Sequence, residues 1–148
     1  MLSLHYYVEY LSTIGVEILD QGLLKREYEV TRSVFRNSDK VVKFKLGDLG
    51  ITCVSNIYVK REWFYKYLGG KNDVEAYNLI NNAIQNPKSL NTGDFNNYFE
   101  RVEWDLDKIP FIKYFKEDGG YYLTSSIIVA CKDIVCNASF HRVMYVNN

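Results

Sequence analysis

The chain has 148 residues, the size of one ordinary domain with its own hydrophobic core. Its 18 basic and 18 acidic residues balance, so net charge gives no electrostatic reason to expect binding to nucleic acid or to an anionic membrane. No apolar run is long enough to span a bilayer and the N-terminus lacks a signal-peptide pattern, which together predict a cytoplasmic protein.

The first half of the chain mixes helical and strand patterns. Apolar spacing predicts helices over 2–14, 24–35, 60–67 and 74–85, with Gly15 and Gly69 at helix stops and Asn72 or Asp73 at a cap. Strands are predicted over 16–19, before a turn at 20–22, and over 41–46 and 51–58, the last as a central strand. The helix over 74–85 is expected to turn its apolar side inward, namely Val74, Tyr77, Ile80, Ala83 and Ile84.

The second half of the chain is predicted to be rich in strands. A polar stretch over 88–97 is the best candidate boundary and divides the chain into 1–97 and 98–148. Alternation predicts a strand over 99–106, and both Trp63 and Trp104 are expected in a core or an interface. Helices and strands followed by strands alone predict an α+β fold, with an α/β layer leading into a β-rich part.

Three cysteines, Cys53, Cys131 and Cys136, lie in apolar, strand-like segments. An odd number in this setting favours buried, reduced thiols over a disulfide framework. Cys131 and Cys136 can face each other across a hairpin, but the two histidines of the chain do not complete a zinc site with them.

The C-terminal segment predicts an antiparallel hairpin with one unusual residue. Two β-branched runs, 127–131 and 136–146, flank a short turn and follow a Gly-Gly pair. Arg142 is the one ionisable residue on an otherwise apolar row of the return strand. One interpretation is structural: the guanidinium reaches the rim of the sheet or pairs with a structural carboxylate. The other is functional: the guanidinium is positioned to bind an anionic ligand. Because a lone hairpin is marginally stable, it must either dock on the first layer or be completed by further strands.

Three motifs around this hairpin resemble the UbiD-type decarboxylases, which use prenylated flavin mononucleotide. They are 109–111 (IPF), 118–124 (DGGYYLT) and 137–142 (NASFHR), the last with the family's spacing from asparagine to arginine. The resemblance implies that 98–148 begins a split β-barrel of flavin-reductase type. It also implies that Asn137 ligates manganese or magnesium bound to the cofactor phosphate, and that Arg142 orients the carboxylate of a small-molecule acid. The segment with Ser139, Phe140, His141 and Arg142 is implied to contact the flavin.

Several points are left open by the residues themselves. Thr124, Ser125 and Ser126 either bond to flavin or substrate, or satisfy backbone groups at a strand end. His141 is expected to be an ordinary polar-face residue rather than a catalytic imidazole. Asn137 and Arg142 are five positions apart and would face opposite sides of a regular strand, so Asn137 is expected before the strand or at a bulge.

The sequence does not match the family's proton donor or its other metal ligands, so we expect this polypeptide to be inactive alone. It would need a second chain or a missing C-terminal portion, and a homo-oligomer is left open. The alternatives are a non-catalytic binding or assembly domain that keeps the fold, and a flavin-binding protein without decarboxylase activity. The identity of the acid is not readable from the sequence.

Overall fold

The computed structural model describes residues 4–89, 94, 97, 103, 105–133 and 135–146. The described elements follow in the order α1 Leu4–Thr13, β1 Ile18–Leu24, α2 Glu29–Arg36, β2 Val41–Leu46, β3 Thr52–Ser55, α3 Arg61–Leu68, α4 Asp73–Gln85, a 3-10 helix Leu106–Lys108, β4 Tyr122–Lys132 and β5 Val135–Met144. They confirm the α+β class. They form a three-stranded and a two-stranded sheet, and no closed barrel is present among these residues.

Two predictions fall mostly on residues outside the described part. The predicted strand over 99–106 includes Trp104, which is not described, and Leu106 begins the 3-10 helix instead of ending a strand. The predicted boundary over 88–97 is described only at its ends and at residue 94.

β2 is the centre of the first sheet, with β1 parallel on one side and β3 antiparallel on the other. Because side chains alternate along a strand, Phe44 packs into a core beneath α2, whereas Val41 joins Trp63 in a second core beside α1 and α3. The prediction for Trp63 is therefore confirmed. The predicted central strand over 51–58 is wrong, since β3 is a short edge strand and Asn56, at φ 58°, turns the chain away from the ladder.

β1 spans Ile18–Leu24 and so extends beyond the predicted strand over 16–19. The strand runs through 20–22, predicted as a turn, and pairs with β2 on both sides of a register shift between Asp20 and Leu23. The Asp20 carboxylate accepts the N–H of Gly22 at 2.9 Å, so the turn-forming residues build a bulge inside the strand. α2 consequently begins at Glu29 rather than at 24.

The helix ends agree with the sequence, but the buried face of α4 does not. Gly15 and Gly69 have φ angles of 76° and 90°, and the Asn72 side chain accepts the N–H of Glu75 at 3.0 Å. α4 packs on α3 at its N-terminal end, and its buried side chain is Ala76. The predicted inward set is exposed, because no described element covers that side: Val74, Tyr77, Ile80, Ala83 and Ile84. No helix of the described residues is long and apolar enough to cross a membrane.

The base of the C-terminal hairpin is tied to the α/β layer. Ile112, buried in the core beneath α2, exchanges two backbone hydrogen bonds with Tyr122 at 2.8 and 2.9 Å. Lys113 donates to the carbonyl of Arg26 and accepts from the N–H of Tyr28, both at 3.0 Å. The hairpin therefore docks through its base, while the rest of its length extends away with exposed side chains.

Candidate functional site on the C-terminal hairpin

β4 and β5 form the predicted antiparallel hairpin, which is as tight as the sequence suggests. Lys132 pairs with Val135, so only two residues, 133 and 134, connect the strands. Asp133 has φ 54°, the left-handed conformation that two-residue hairpin loops require. Pairing then extends along the whole of both strands to Tyr122 opposite Met144.

The cysteine prediction is wrong for the hairpin. Cys131 and Cys136 lie directly opposite each other, are exposed, and are joined by a disulfide. The apolar pattern had suggested burial, but neither face of this part of the hairpin is covered by a described element. Cys53 is a free, half-buried thiol as expected, and burial raises its pKa. Among the described residues no three His, Cys, Asp or Glu side chains gather in a way that could hold a metal ion.

A bulge interrupts the ladder beside Arg142. Leu123 pairs with Val143 and Ser126 pairs with His141, so Thr124 and Ser125 together face Arg142 alone. A bulge was expected in the return strand, where it would re-aim Asn137. The structure places it in β4 instead, which brings the two predicted cofactor-contacting hydroxyls next to the predicted substrate-binding arginine.

β5 itself is regular, and this decides which of its side chains share a face. Asn137 lies inside the strand opposite Ala130, not before it and not at a bulge, so that geometric expectation is wrong. By alternation Asn137 shares its face with Ser139 and His141, and Arg142 shares the opposite face with Phe140. The side chains of Asn137 and Arg142 therefore point to different sides of this hairpin.

The face of Asn137 is a polar row exposed to solvent. The Ser139 hydroxyl and Nε2 of His141 are 2.6 Å apart, which is consistent with the ordinary polar-face role expected for the histidine. On the other face Phe140 is 81% exposed, a high value for an aromatic side chain. Neither Phe140 nor the polar row of Asn137, Ser139 and His141 lines any of the four main cavities formed by the described residues.

Arg142 borders a small cavity of about 170 Å³ together with Tyr114, Asp118, Tyr122 and Thr124. Its Cζ lies 5.7 Å from the centroid of the Tyr122 ring. No carboxylate of the described residues forms an ion pair with it. Asp118 is in the same cavity, but one of its oxygens accepts the backbone N–H groups of Tyr114 and 115 at 3.1 and 2.9 Å. With respect to the described carboxylates, the guanidinium is therefore available to an anion.

Three residues that the sequence analysis did not single out help to build this cavity. Tyr114 Oη lies 2.9 Å from Oγ1 of Thr124, which fixes the hydroxyl of a bulge residue. Tyr122 begins β4, and its pairing opposite Met144 places its ring one step from Arg142. Phe115 completes the wall. Tyr122 could have been identified from the register of the hairpin, because pairing the two strands with the bulge in β4 places Tyr122 next to Arg142.

Two tyrosine hydroxyls hold the hairpin in place from outside the cavity. Tyr121 donates to the Glu27 carboxylate, and Tyr145 donates to Asp107 at 2.7 Å. These hydrogen bonds raise the pKa of both phenols, because each keeps its proton close to a negative charge. The two ends of the hairpin are thereby tied to Glu27, next to α2, and to Asp107 in the 3-10 helix.

Arg142 borders a cavity with hydroxyl and aromatic walls and forms no ion pair with a carboxylate of the described residues, which makes this cavity a candidate anion-binding site on an α+β scaffold. Comparison with known proteins confirms the family recognised from the motifs. The chain is a UbiD-related sequence: residues 88–148 match the family model for the 3-octaprenyl-4-hydroxybenzoate carboxy-lyase Rift-related domain.

Three similar curated proteins are each named anhydromevalonate phosphate decarboxylase. The protein from Aeropyrum pernix is 31% identical over 137 residues, which cover 91% of this chain and 31% of the relative. That from Archaeoglobus fulgidus is 31% identical over 102 residues, covering 66% of this chain and 23% of the relative. That from Methanosarcina mazei is 46% identical over 44 residues, 30% of this chain and 10% of the relative. The chain thus spans about a third of the length of the first relative.

Proposed function

We propose that this chain supplies the carboxylate-binding hairpin of a UbiD-type carboxy-lyase, which removes carbon dioxide from an aromatic or α,β-unsaturated acid with prenylated FMN. The observation that carries the proposal is Arg142, which belongs to a family motif, borders a cavity and has no carboxylate ion-pair partner among the described residues. Its planar fork suits a carboxylate, which it would hold in one orientation through two parallel hydrogen bonds.

The residues of the hairpin fit the cofactor in chemistry, but only as one side of a site. The Asn137 carbonyl is a neutral hard oxygen, suited to Mn²⁺ or Mg²⁺ that also binds a phosphate. Phe140, at 81% exposure, would gain from covering by a flavin ring, and Thr124 and Ser125 offer hydroxyls at the bulge. When bound, prenylated FMN would supply the electron-accepting centre that the loss of carbon dioxide needs. Arg142 would orient the acid.

We propose that the proton donor and the remaining metal ligands come from outside these 148 residues. Asn137 is one ligand, and the described residues provide no cluster of acids and histidines around it. Asn137 and Arg142 would also need partner groups that reach around the hairpin to serve one cofactor, because they face opposite sides. A second chain or a C-terminal portion of the enzyme would bring these groups, and this polypeptide alone would then be inactive.

The exposed apolar surface of the hairpin supports this view. Ile127, Val129 and Val135 are 58%, 59% and 71% exposed, although β-branched residues of this kind normally lie inside a sheet protein. A two-stranded hairpin with uncovered faces gains stability when more strands or a packed layer cover it. Completion of a split barrel by strands from elsewhere would bury these side chains.

The test is reconstitution. The chain is mixed with prenylated FMN, Mn²⁺ and the C-terminal two-thirds of the Aeropyrum pernix relative, and carbon dioxide release is measured from cinnamate, from an aliphatic 2-enoic acid and from anhydromevalonate phosphate. We expect turnover only when both polypeptides are present, and none after Arg142→Ala. The exposed Arg32→Ala serves as the matched control and should retain turnover. Undiminished turnover of the Arg142→Ala protein would contradict the proposal.

A non-catalytic binding or assembly domain is the second candidate, and α4 is the observation in its favour. From Tyr77 to Gln85 this helix has no charged residue, and all nine of these positions are exposed. Depletion of charge on an exposed apolar surface is typical of an interface core. If the chain binds a partner tightly, yet the complex neither holds flavin nor releases carbon dioxide, this second function is the correct one.

A further inference from the structure

The Cys131–Cys136 disulfide lies at the far end of the hairpin, one residue pair before the loop that joins β4 to β5. Both cysteines are exposed, and neither lines any of the four main cavities of the described residues. We propose that they form a reversible thiol–disulfide site for a low-molecular-weight thiol of the glutathione type, and that its oxidation state sets the order of the hairpin tip, residues 127–140. This inference is independent of the proposed decarboxylase function.

The two sulfur atoms are accessible to a thiol in solution. Exchange begins when a thiolate attacks one sulfur of a disulfide, so its rate depends on access to that sulfur. Every described residue of the hairpin tip is exposed. Cys53 is different, because it is half-buried against the core beneath α2 and burial raises its pKa, which disfavours the thiolate. The fold thus exposes one pair of cysteines to thiols and shields the third.

The bridge lacks the features that make a disulfide resistant to reduction. It joins residues only five positions apart, and the entropic contribution of a disulfide is smallest for short loops. Exposed disulfides are also reduced more readily than the structural bridges of secreted proteins, which resist the glutathione pool. Glutathione is therefore expected to open this bridge without prior unfolding of the chain.

The hairpin also favours closure of the bridge. Lys132 pairs with Val135 and Asp133 adopts φ 54°, so the backbone of the loop holds positions 131 and 136 opposite each other. Two thiols held in this way react as an intramolecular pair, at a high effective concentration. The reduced site is therefore arranged for oxidation as well.

The exchange is a two-electron reaction in two steps. In the first, a glutathione thiolate attacks one cysteine sulfur, the S–S bond breaks, and the other cysteine leaves as a thiolate. In the second, another glutathione thiolate attacks the glutathione sulfur of this mixed disulfide and releases the remaining cysteine together with glutathione disulfide. Two glutathione molecules are oxidised, the bridge is reduced, and the two protons that the glutathione thiols lose are taken up by the two cysteine thiolates. Glutathione disulfide drives the same steps in reverse.

The oxidation state would change the surface beside the bridge. On the face of the disulfide, Val129 lies opposite Ala138 and Ile127 lies opposite Phe140. The side chains of Ile127, Val129 and Phe140 are all more than half exposed. Because a two-stranded hairpin is marginally stable by itself, the covalent bridge is the main constraint on this segment. Oxidation would hold these side chains in one ordered apolar row, and reduction would let the tip fray.

The base of the hairpin does not depend on the bridge. Ile112 exchanges two backbone hydrogen bonds with Tyr122, and Tyr145 donates to Asp107 at 2.7 Å. These contacts remain when the disulfide is opened. The effect of reduction should therefore be confined to the tip.

The experiment uses the 148-residue chain without denaturant, in buffers that range from glutathione disulfide alone to reduced glutathione alone. Free thiols are alkylated after an acid quench and counted by mass spectrometry. Cys131 and Cys136 are expected to convert together, with a midpoint inside this range. Amide hydrogen exchange is measured on the same samples. Reduction should speed exchange at Val129 and Ala138 about tenfold and leave Leu123, near the base, unchanged.

Two variants serve as controls. Cys53→Ser should show the same midpoint, because Cys53 takes no part in the exchange. The double variant Cys131→Ser with Cys136→Ser should exchange its tip amides rapidly in every buffer, like the reduced chain.

The outcomes decide both parts of the proposal. A bridge that stays closed in reduced glutathione until the chain is denatured would overturn the reversible site, and so would thiols that stay reduced in glutathione disulfide. If the bridge opens and closes but the tip amides exchange equally fast in both forms, the proposed control of order is wrong.

Discussion

The guanidinium of Arg142 lies over the ring of Tyr122, with 5.7 Å between Cζ and the ring centroid. The two residues are on neighbouring strands, and the β4 bulge sits beside them. Attraction between the cation and the ring face holds the side chain over the cavity without neutralising its charge. An arginine paired with a carboxylate would be equally ordered but less available to an acid.

Tyr122 should therefore act as a positioning residue for Arg142. With octanoate as a simple carboxylate probe for the guanidinium, Tyr122→Leu is expected to weaken binding about two- to fivefold, the range for an exposed cation–π contact, whereas Tyr122→Phe should retain binding because the ring remains. Calorimetric titration of the two variants checks this. Equal weakening in both would mean that the phenolic hydroxyl matters and the ring does not.

Thr31→Val should stabilise the protein by about 1 kcal/mol, since it replaces a buried hydroxyl that has no hydrogen-bond partner among the described residues with a methyl group of similar shape. The matched control is Thr13→Val, which removes a hydroxyl that donates to the Tyr10 carbonyl at 2.7 Å and should not stabilise. Urea unfolding of the two variants provides the measurement. A loss of stability in Thr31→Val would show that its hydroxyl has a partner in solution.

The Cys131–Cys136 disulfide should stiffen the hairpin without affecting the α/β layer. It closes a short loop, so its entropic contribution is about 2 kcal/mol, and the strands it joins have no other cover among the described elements. Reduction should speed amide hydrogen exchange along β4 and β5 and leave β2 unchanged. Cys131→Ser should exchange like the reduced protein, and Cys53→Ser should respond to reductant like the unmodified chain.

Alkaline pH should destabilise the fold partly through Tyr7. Burial, followed by the neighbouring Tyr58 and Tyr10, raises the pKa of Tyr7 from 10.0 to about 12. A raised pKa favours the protonated folded state, so this contribution is complete below pH 10.0 and is lost as the pH rises towards about 12.

Tyr7→Phe tests this pH dependence. It removes the hydrogen bond to the Ile57 carbonyl at 3.0 Å and should cost about 1 kcal/mol near neutral pH. The loss of stability between pH 10 and 12 should then be shallower than in the unmodified chain. Thermal unfolding across this range is the measurement, with Tyr77→Phe as the control at an exposed site. An unchanged slope in Tyr7→Phe would exclude Tyr7 as the cause.

The sequence by itself determined the local elements that depend on neighbouring residues. Gly15 and Gly69 end their helices, Asn72 caps α4, and the β-branched runs around 133–134 form a hairpin, because these outcomes follow from backbone conformation and short-range hydrogen bonds. The motif around Arg142 likewise identified the family without any coordinates.

Only the tertiary structure decided which faces are covered and where the bulges lie. Residues 20–22, predicted as a turn, lie inside β1 because this strand pairs with β2 on both sides of them. The apolar side of α4, which its periodicity assigned to a core, is exposed. The position of the bulge in β4 rather than β5 separated Asn137 from Arg142 and gave the arginine its cavity wall. These features arise from pairing between distant segments, and residue spacing along one strand does not specify its partner's register.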